Sequence, residues 1–380
     1  MSSAASQRRT TRVRRCTGTG SGGEPNRPGS FEGVKPRPIG GVNDTGVPFQ
    51  EDLRMHPRGL RHQSPVGRDP DADPATTLRG VTSTVDRLAP ALPSPGRAAR
   101  WLRPAALASL VANIAIVVTG GVVRLTGSGL GCPTWPRCTD QSFVPHRALG
   151  IHSAIEFGNR MVTFVLAAVA IATVVVAWRA GRRVVLRLAV LLALGVPAQA
   201  VIGGITVLTD LNPWIVSLHL LLSMAMVAVA VTLVRRVGEG DGPPRLLVPP
   251  GQAWLARATF AVGWVVLYVG TVVTGSGPHA GDVHAPRNGL DPRALSQLHT
   301  DVVFLFLGLT VAAVLVLRSA PSVVRRSAGV LLAVELAQGL VGFVQYATDL
   351  PVALVAVHLL GAALVSAAMT WFLVSVRERV

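Results

Sequence analysis

The chain has 380 residues, 49% of them hydrophobic, and 36 lysines and arginines against 20 acids give a formal net charge of +16. Three cysteines in this length exclude a disulfide scaffold and a four-cysteine zinc site. The positive charge is gathered in an N-terminal tail and beside apolar runs, without the mixed aromatic and basic patches that stack bases. It therefore signals membrane orientation rather than nucleic-acid binding.

Residues 1–100 are rich in Arg, Pro, Gly, Ser and Asp and show no sustained apolar periodicity and no signal-peptide core. Such a composition predicts disorder. Uncharged apolar runs then alternate with short arginine-bearing segments, and each run approaches the ~20 residues a helix needs to cross a bilayer. Eight spans are predicted, at 104–123, 152–178, 188–208, 214–234, 254–274, 296–317, 327–346 and 352–376. Arg97, Arg100 and Arg103 precede the first span, and Arg179, Arg182, Arg183 and Arg187 lie between the second and third. Arg235, Arg236, Arg245 and Arg257 lie between the fourth and fifth, Arg318, Arg325 and Arg326 between the sixth and seventh, and Arg377 and Arg379 follow the eighth. The remaining loops are poorer in arginine, so both termini are expected on the cytoplasmic side of a cell membrane.

The sequence also repeats. Gln199, Gly203, Thr209, Asp210 and His219 recur as Gln338, Gly342, Thr348, Asp349 and His358, all at an offset of 139, and Thr126–Gly129 matches Thr274–Gly277. Four spans per half give the two halves the same topology, so they should be related by an axis along the membrane normal. The expected fold is all-α and integral to the membrane, with eight transmembrane helices in two pseudo-symmetric four-helix bundles. The bundles are placed at 101–236 and 254–380, with a cytoplasmic linker at 237–253.

Three of the nine histidines fall inside spans: His219 in the fourth, His299 in the sixth and His358 in the eighth. All three helices run inward from the outer side, and at 1.5 Å per residue each histidine lies within about 6–10 Å of the outer boundary. Equal depth on adjacent helices is what two axial ligands of one membrane haem require. There is no C-x-x-C-H for covalent haem attachment and no cysteine or carboxylate cluster at that depth for zinc. In the second span, spacings of four and three place His152, Glu156 and Asn159 on one helix face. Asn159 stands where the repeat has His299, so an iron in the N-terminal bundle would have His219 on one side and an open or weakly filled position on the other. Glu156 beside it is a candidate proton acceptor, or else an interfacial charge paired with Arg160. Cys132 and Cys138 lie in an outer loop where oxidation is permitted, and their spacing can close a disulfide. His146, His279 and His284 are loop residues expected to be solvated.

The outer loop and its flanks, Gly120-Gly121-Val122-Val123-Arg124-Leu125-Thr126-Gly127-Ser128-Gly129-Leu130-Gly131-Cys132-Pro133-Thr134-Trp135-Pro136-Arg137-Cys138, resemble the signature of the haem A synthase family. The resemblance extends to Glu156–Arg160, to the single histidines of spans four, six and eight, and to the four-plus-four repeat. It implies an oxidoreductase that oxidises the C8 methyl of haem O to a formyl group, giving haem A for terminal oxidases. It implies haem b in the C-terminal bundle on His299 and His358. It implies substrate haem in the N-terminal bundle on His219, with Glu156 as the functional carboxylate. The family pattern has histidine where this chain has Asn159, which leaves Asn159 or His152 as the second axial partner. The cysteine pair is either a staple or a redox couple tied to the reaction. Expected partners are haem O, the haem O synthase that would deliver it, membrane lipid, an electron acceptor the sequence does not name, and a second copy of the chain. The competing reading is a di-haem electron-transfer protein that leaves its haem unaltered; the asymmetry at Asn159 argues against it. A transporter would need mid-membrane carboxylates, and Glu335 is the one such group.

Overall fold

A computed structural model describes residues 95–146 and 149–380. Its helices are α1 (Pro95–Leu125), α2 (Gly150–Arg179), α3 (Arg183–Leu208), α4 (Pro213–Val237), α5 (Pro250–Ser276), α6 (Pro292–Val316), α7 (Ser322–Ala347) and α8 (Val352–Ser375). All eight are long and apolar enough to cross a membrane. The first is the one whose predicted edge is well off. It begins at Pro95 and carries Pro104 inside it, so residues 95–100, expected to be disordered, are helical. Arginines do not stop a helix at a membrane surface, because their stems lie along the apolar wall while the guanidinium reaches water. The expectation of disorder for residues 1–94 lies outside the described residues.

Local chemistry sets the helix starts. Asn212 caps α4 by accepting from the Trp214 N–H at 3.0 Å, Asp291 caps α6 by accepting from the Arg293 N–H at 2.9 Å, and Pro213 and Pro292 follow them. Proline suits that position because its missing donor would have had no intrahelical partner. The C-terminal ends of α3 and α7 share a tighter device. Asp210–Leu211 and Asp349–Leu350 all have left-handed backbone, with φ between 50° and 60°. In each pair the leucine N–H reaches back into the helix, to Thr206 O and to Gln345 O, both at 2.8 Å. Non-glycine residues seldom adopt this conformation. Its use at equivalent places in both halves makes the chain turn at once into the helix that carries the histidine.

Helix contacts follow the repeat. In the first half α1 packs on α2, α2 on α3, α3 on α4, and α4 back on α1; α5 to α8 close a second ring in the same order. The rings meet through α4 on α8, flanked by α1 on α8 and α4 on α5. A two-fold that exchanges α1 with α5 and α4 with α8 leaves this pattern unchanged. Large side chains such as Phe164, Leu194, Phe304 and Phe343 point outward, as lipid-facing residues do, whereas small hydroxyls line the seams. Ser109 bonds Thr173 between α1 and α2 at 2.9 Å, and Ser327 bonds Ser375 between α7 and α8 at 2.7 Å. Across the rings, the Ser366 hydroxyl donates to Met224 O at 3.0 Å. The interbundle connection holds a short strand, β1 (Pro244–Leu246), paired antiparallel with β2 (Arg377–Arg379) after the last helix. Arg245 and Glu378 face one another in that ribbon. Three-residue strands carry no periodicity, and the sequence gives no sign of this pairing.

Candidate functional site: paired membrane histidines and a clamped disulfide loop

His219, His299 and His358 each lie about two turns inside the N-terminal end of their helix, as their spacing predicts. Each imidazole rests on a glycine of the preceding helix. A Cβ at Gly203 on α3, Gly270 on α5 or Gly342 on α7 would stand 3.1 Å from Cε1 of His219, His299 or His358 respectively. The three glycines thus form flat seats that let an imidazole lie against a neighbouring backbone. Gln199 on α3 donates to His219 O at 3.1 Å, and Gln338 on α7 donates to His358 O at 2.8 Å. These glutamines fix the backbone of the histidine's turn while leaving the ring free. The repeat had marked both glutamines and two of the glycines, but their role is visible only once α3 lies against α4 and α7 against α8.

Among the described residues Nδ1 of all three histidines is buried without a hydrogen bond. An unpaired buried nitrogen ordinarily destabilises, by about 1–3 kcal/mol. Three of them, seated alike, suit groups reserved for a ligand. His299 and His358 are near enough to interact electrostatically. They sit on α6 and α8, which are diagonal in the ring of four rather than adjacent as the sequence suggested. Diagonal helices face one another across the bundle interior. Among the described residues no three His, Cys, Asp or Glu side chains converge, so a bare metal ion would lack ligands. A porphyrin brings four nitrogens of its own and needs only the two imidazoles, so these residues fit haem.

In the N-terminal bundle the position opposite His219 differs. Asn159 on α2 is half-buried, and its Oδ1 accepts from the Thr119 hydroxyl of α1 at 2.7 Å. His152 is exposed at the outer start of α2, with Nδ1 3.0 Å from Ser128 Oγ of the glycine-rich loop. Asn159 is therefore bonded to the neighbouring helix α1, whereas His152 helps to seat the loop.

That loop is held firmly. Cys132 and Cys138 form a disulfide and are both fully buried. Glu156, 5% exposed, spends both carboxylate oxygens on the assembly: Oε2 accepts from the Cys132 N–H at 2.6 Å and Oε1 from Arg160 at 2.6 Å. Arg160 also donates to Cys132 O, Thr134 O and Arg137 O at 3.1–3.2 Å. Glu156 and Arg160 are thus one turn of helix used as a clamp on the loop backbone. Trp135, within the loop, packs its indole where a side chain on Gly204 would otherwise be. Gly204 adjoins the seat of His219, so the loop closes the outer end of the bundle that carries the lone histidine. Of the loop histidines, His279 bonds Leu350 O at 3.0 Å, and His146 and His284 make no side-chain bond among the described residues.

The fold and site define a class: an eight-span, twofold-repeated membrane protein with buried histidines fit to ligate haem. Comparison with known proteins narrows it. Residues 103–281 match the family model of a cytochrome oxidase assembly protein. A haem A synthase of Halalkalibacterium halodurans is 30% identical over 169 residues, 43% of this chain and 56% of that protein. One from Lysinibacillus sphaericus is 31% identical over 180 residues, 46% and 58%. A protein named protoheme IX farnesyltransferase, from Halobacterium salinarum, is 31% identical over 141 residues, 34% and 31%. The chain is similar to haem A synthases over about half of its length. It spans little more than half the length of the curated relatives it matches.

Proposed function

We propose that the protein is a haem A synthase, an oxidoreductase that converts the C8 methyl group of haem O to a formyl group. The observation that carries this reading is the inequality of two otherwise equivalent bundles. The C-terminal bundle offers two unpartnered imidazoles, His299 and His358. The N-terminal bundle offers His219 with Asn159 opposite, under a loop stapled by Cys132–Cys138. A bis-histidine haem passes electrons, whereas a haem held from one side leaves room for chemistry at its edge. The C-terminal pair is assigned to resident haem b and the N-terminal site to substrate haem.

In this reading His219 holds the substrate and Gly203 and Gln199 set its pose. Glu156 acts first as a positioning residue. With both oxygens engaged, it holds the disulfide loop and Trp135 over the bundle mouth and keeps water out. Arg160 pairs with that carboxylate, and a proton passed to Glu156 would weaken the clamp. Bound haem supplies the redox centre, and the protein supplies orientation and a dry pocket. The di-haem electron-transfer alternative is not favoured by the named relatives. The test is expression with a source of haem O, followed by extraction and mass identification of the non-covalent haem. Haem A with haem b is expected; haem b alone, with haem O supplied and bound, would contradict the proposal.

A further inference from the structure

Arg124 closes the outer end of α1 in the first half but reaches into the second. Its Nη2 donates to Thr274 O of α5 at 3.0 Å, its Nε is buried with no partner among the described residues, and the charge acting on it is another cation, Arg287. Arg287 is spent on backbone, donating to Ala285 O at 2.6 Å and Pro278 O at 2.8 Å, which curls the 277–291 loop around it. Among the described residues no carboxylate pairs with either arginine. The two acids nearby in sequence are occupied, Asp282 accepting from the His284 N–H and Asp291 capping α6. A guanidinium stays protonated at any physiological pH, and the Arg124 head is largely buried beside the exposed Arg287 with no counter-charge, which is unfavourable. The pair calls for an oxyanion.

Its position says which one. Thr274 is four residues, about 6 Å, outward of Gly270 along α5, and Gly270 is the seat of His299. The Arg124 head therefore lies one helical turn above the proposed C-terminal haem site, on the wall that builds it. Gly281 packs on the Arg124 stem and its carbonyl accepts from Gly129 N–H at 2.8 Å, so the outer loops of both halves cover the spot. We propose that Arg124 and Arg287 form an oxyanion site for the carboxylate side chains of the tetrapyrrole held by His299 and His358. One half of the repeat then supplies a cation to the ligand of the other. This rests on the haem reading above and adds to it a carboxylate subsite that the histidines do not require.

The test uses the full chain purified in detergent, stripped of haem and titrated with haemin and with haemin dimethyl ester, whose carboxylates are blocked; the Soret band reports binding. Wild type is expected to bind haemin at least about tenfold more tightly than the ester, since a charge-assisted bond is lost. Arg124→Gln should shrink that ratio toward one, and Arg124→Lys should keep part of it. Equal binding of haemin and ester by wild type would overturn the carboxylate subsite while leaving the histidine site intact. Binding of neither would overturn both readings. A full ratio retained in Arg124→Gln would remove Arg124 from the site. Loss of co-purified anionic phospholipid in Arg124→Gln, with the ratio unchanged, would assign the oxyanion to a lipid phosphate instead.

Discussion

Substituting Glu156 separates a clamp from a proton acceptor. Glu156→Gln keeps an oxygen for the Cys132 N–H but removes the charge that draws Arg160 to 2.6 Å. The pair is little screened, with side chains 7% and 19% exposed, so losing the charge assistance should weaken the clamp by about 1.5–3 kcal/mol. Arg160 retains its three carbonyl partners, which favours the lower end. Glu156→Ala also strands the Cys132 N–H, adding about 1–3 kcal/mol. Both cysteines are fully buried, so a reductant must wait for the loop to open. At about 1.4 kcal/mol per factor of ten, reduction should run roughly ten- to a hundredfold faster in Glu156→Gln, and faster again in Glu156→Ala. Timed dithiothreitol treatment, alkylation and mass analysis measure the rate. Arg160→Ala should be reduced faster than Glu156→Gln, because it breaks the same pair and also removes three bonds to loop carbonyls. Reduction of Glu156→Ala at the wild-type rate would refute the clamp. Wild-type haem A formation in Glu156→Gln would remove the carboxylate from the reaction.

His299→Ala or His358→Ala should abolish the low-spin haem spectrum while the protein still inserts; an unchanged spectrum in both would remove the C-terminal site. His219→Ala should lose substrate haem and leave that spectrum alone, as seen by extraction and mass analysis. Gln338→Leu frees His358 O from one donor in a membrane interior, where such bonds average about 0.6 kcal/mol, so the haem spectrum should persist with a small loss of thermal stability. Gly342→Leu, by contrast, fills the ring's seat and should eliminate haem binding, and retained affinity would show that the seat is incidental. Glu335 bonds Thr310 at 2.7 Å through one oxygen and leaves the other buried and unpaired. Glu335→Leu should therefore change stability by no more than about 1 kcal/mol, and a larger loss in a melting assay would reveal an unseen partner.

Much of the fold was legible because hydrophobic length and arginine placement are properties of single segments. The 139-residue offset likewise announced the repeat, and depth along a helix put His219, His299 and His358 at one level. Legibility stopped where two segments had to meet. Spacing put Glu156 and Asn159 on one face, yet Glu156 is claimed by loop backbone and Asn159 by Thr119. Backbone groups have no sequence signature, so a carboxylate that serves Cys132 N–H looks the same as one waiting for a proton. Glycine seats are hidden for a similar reason: the 139 offset tied Gly203 to Gly342, but Gly270 has no repeat partner, and only packing reveals all three as equivalent. Arg124 read as an ordinary outer-loop cation until its reach to Thr274 appeared.

The two-fold also constrains how the halves can work together. His219 and His358 are repeat equivalents on α4 and α8, and these are the helices through which the rings touch. Packed helix axes lie about 8–10 Å apart, so haems hung on these two residues would be separated by little more than one helix pair. Under the proposed function, an electron taken from a substrate on His219 would have a short path to the C-terminal site. Duplication alone gives two like sites at that spacing. What sets them apart is local to the first half: asparagine at position 159, and a stapled loop over the bundle that the second half, whose 277–291 loop has no cysteine, does not share. The haem A synthase pattern has histidine where this chain has Asn159, so Asn159→His should not abolish the proposed reaction. The expected result is a second low-spin haem signal with haem A still formed. Loss of haem A in Asn159→His would show that this chain depends on the asparagine to keep the site reactive.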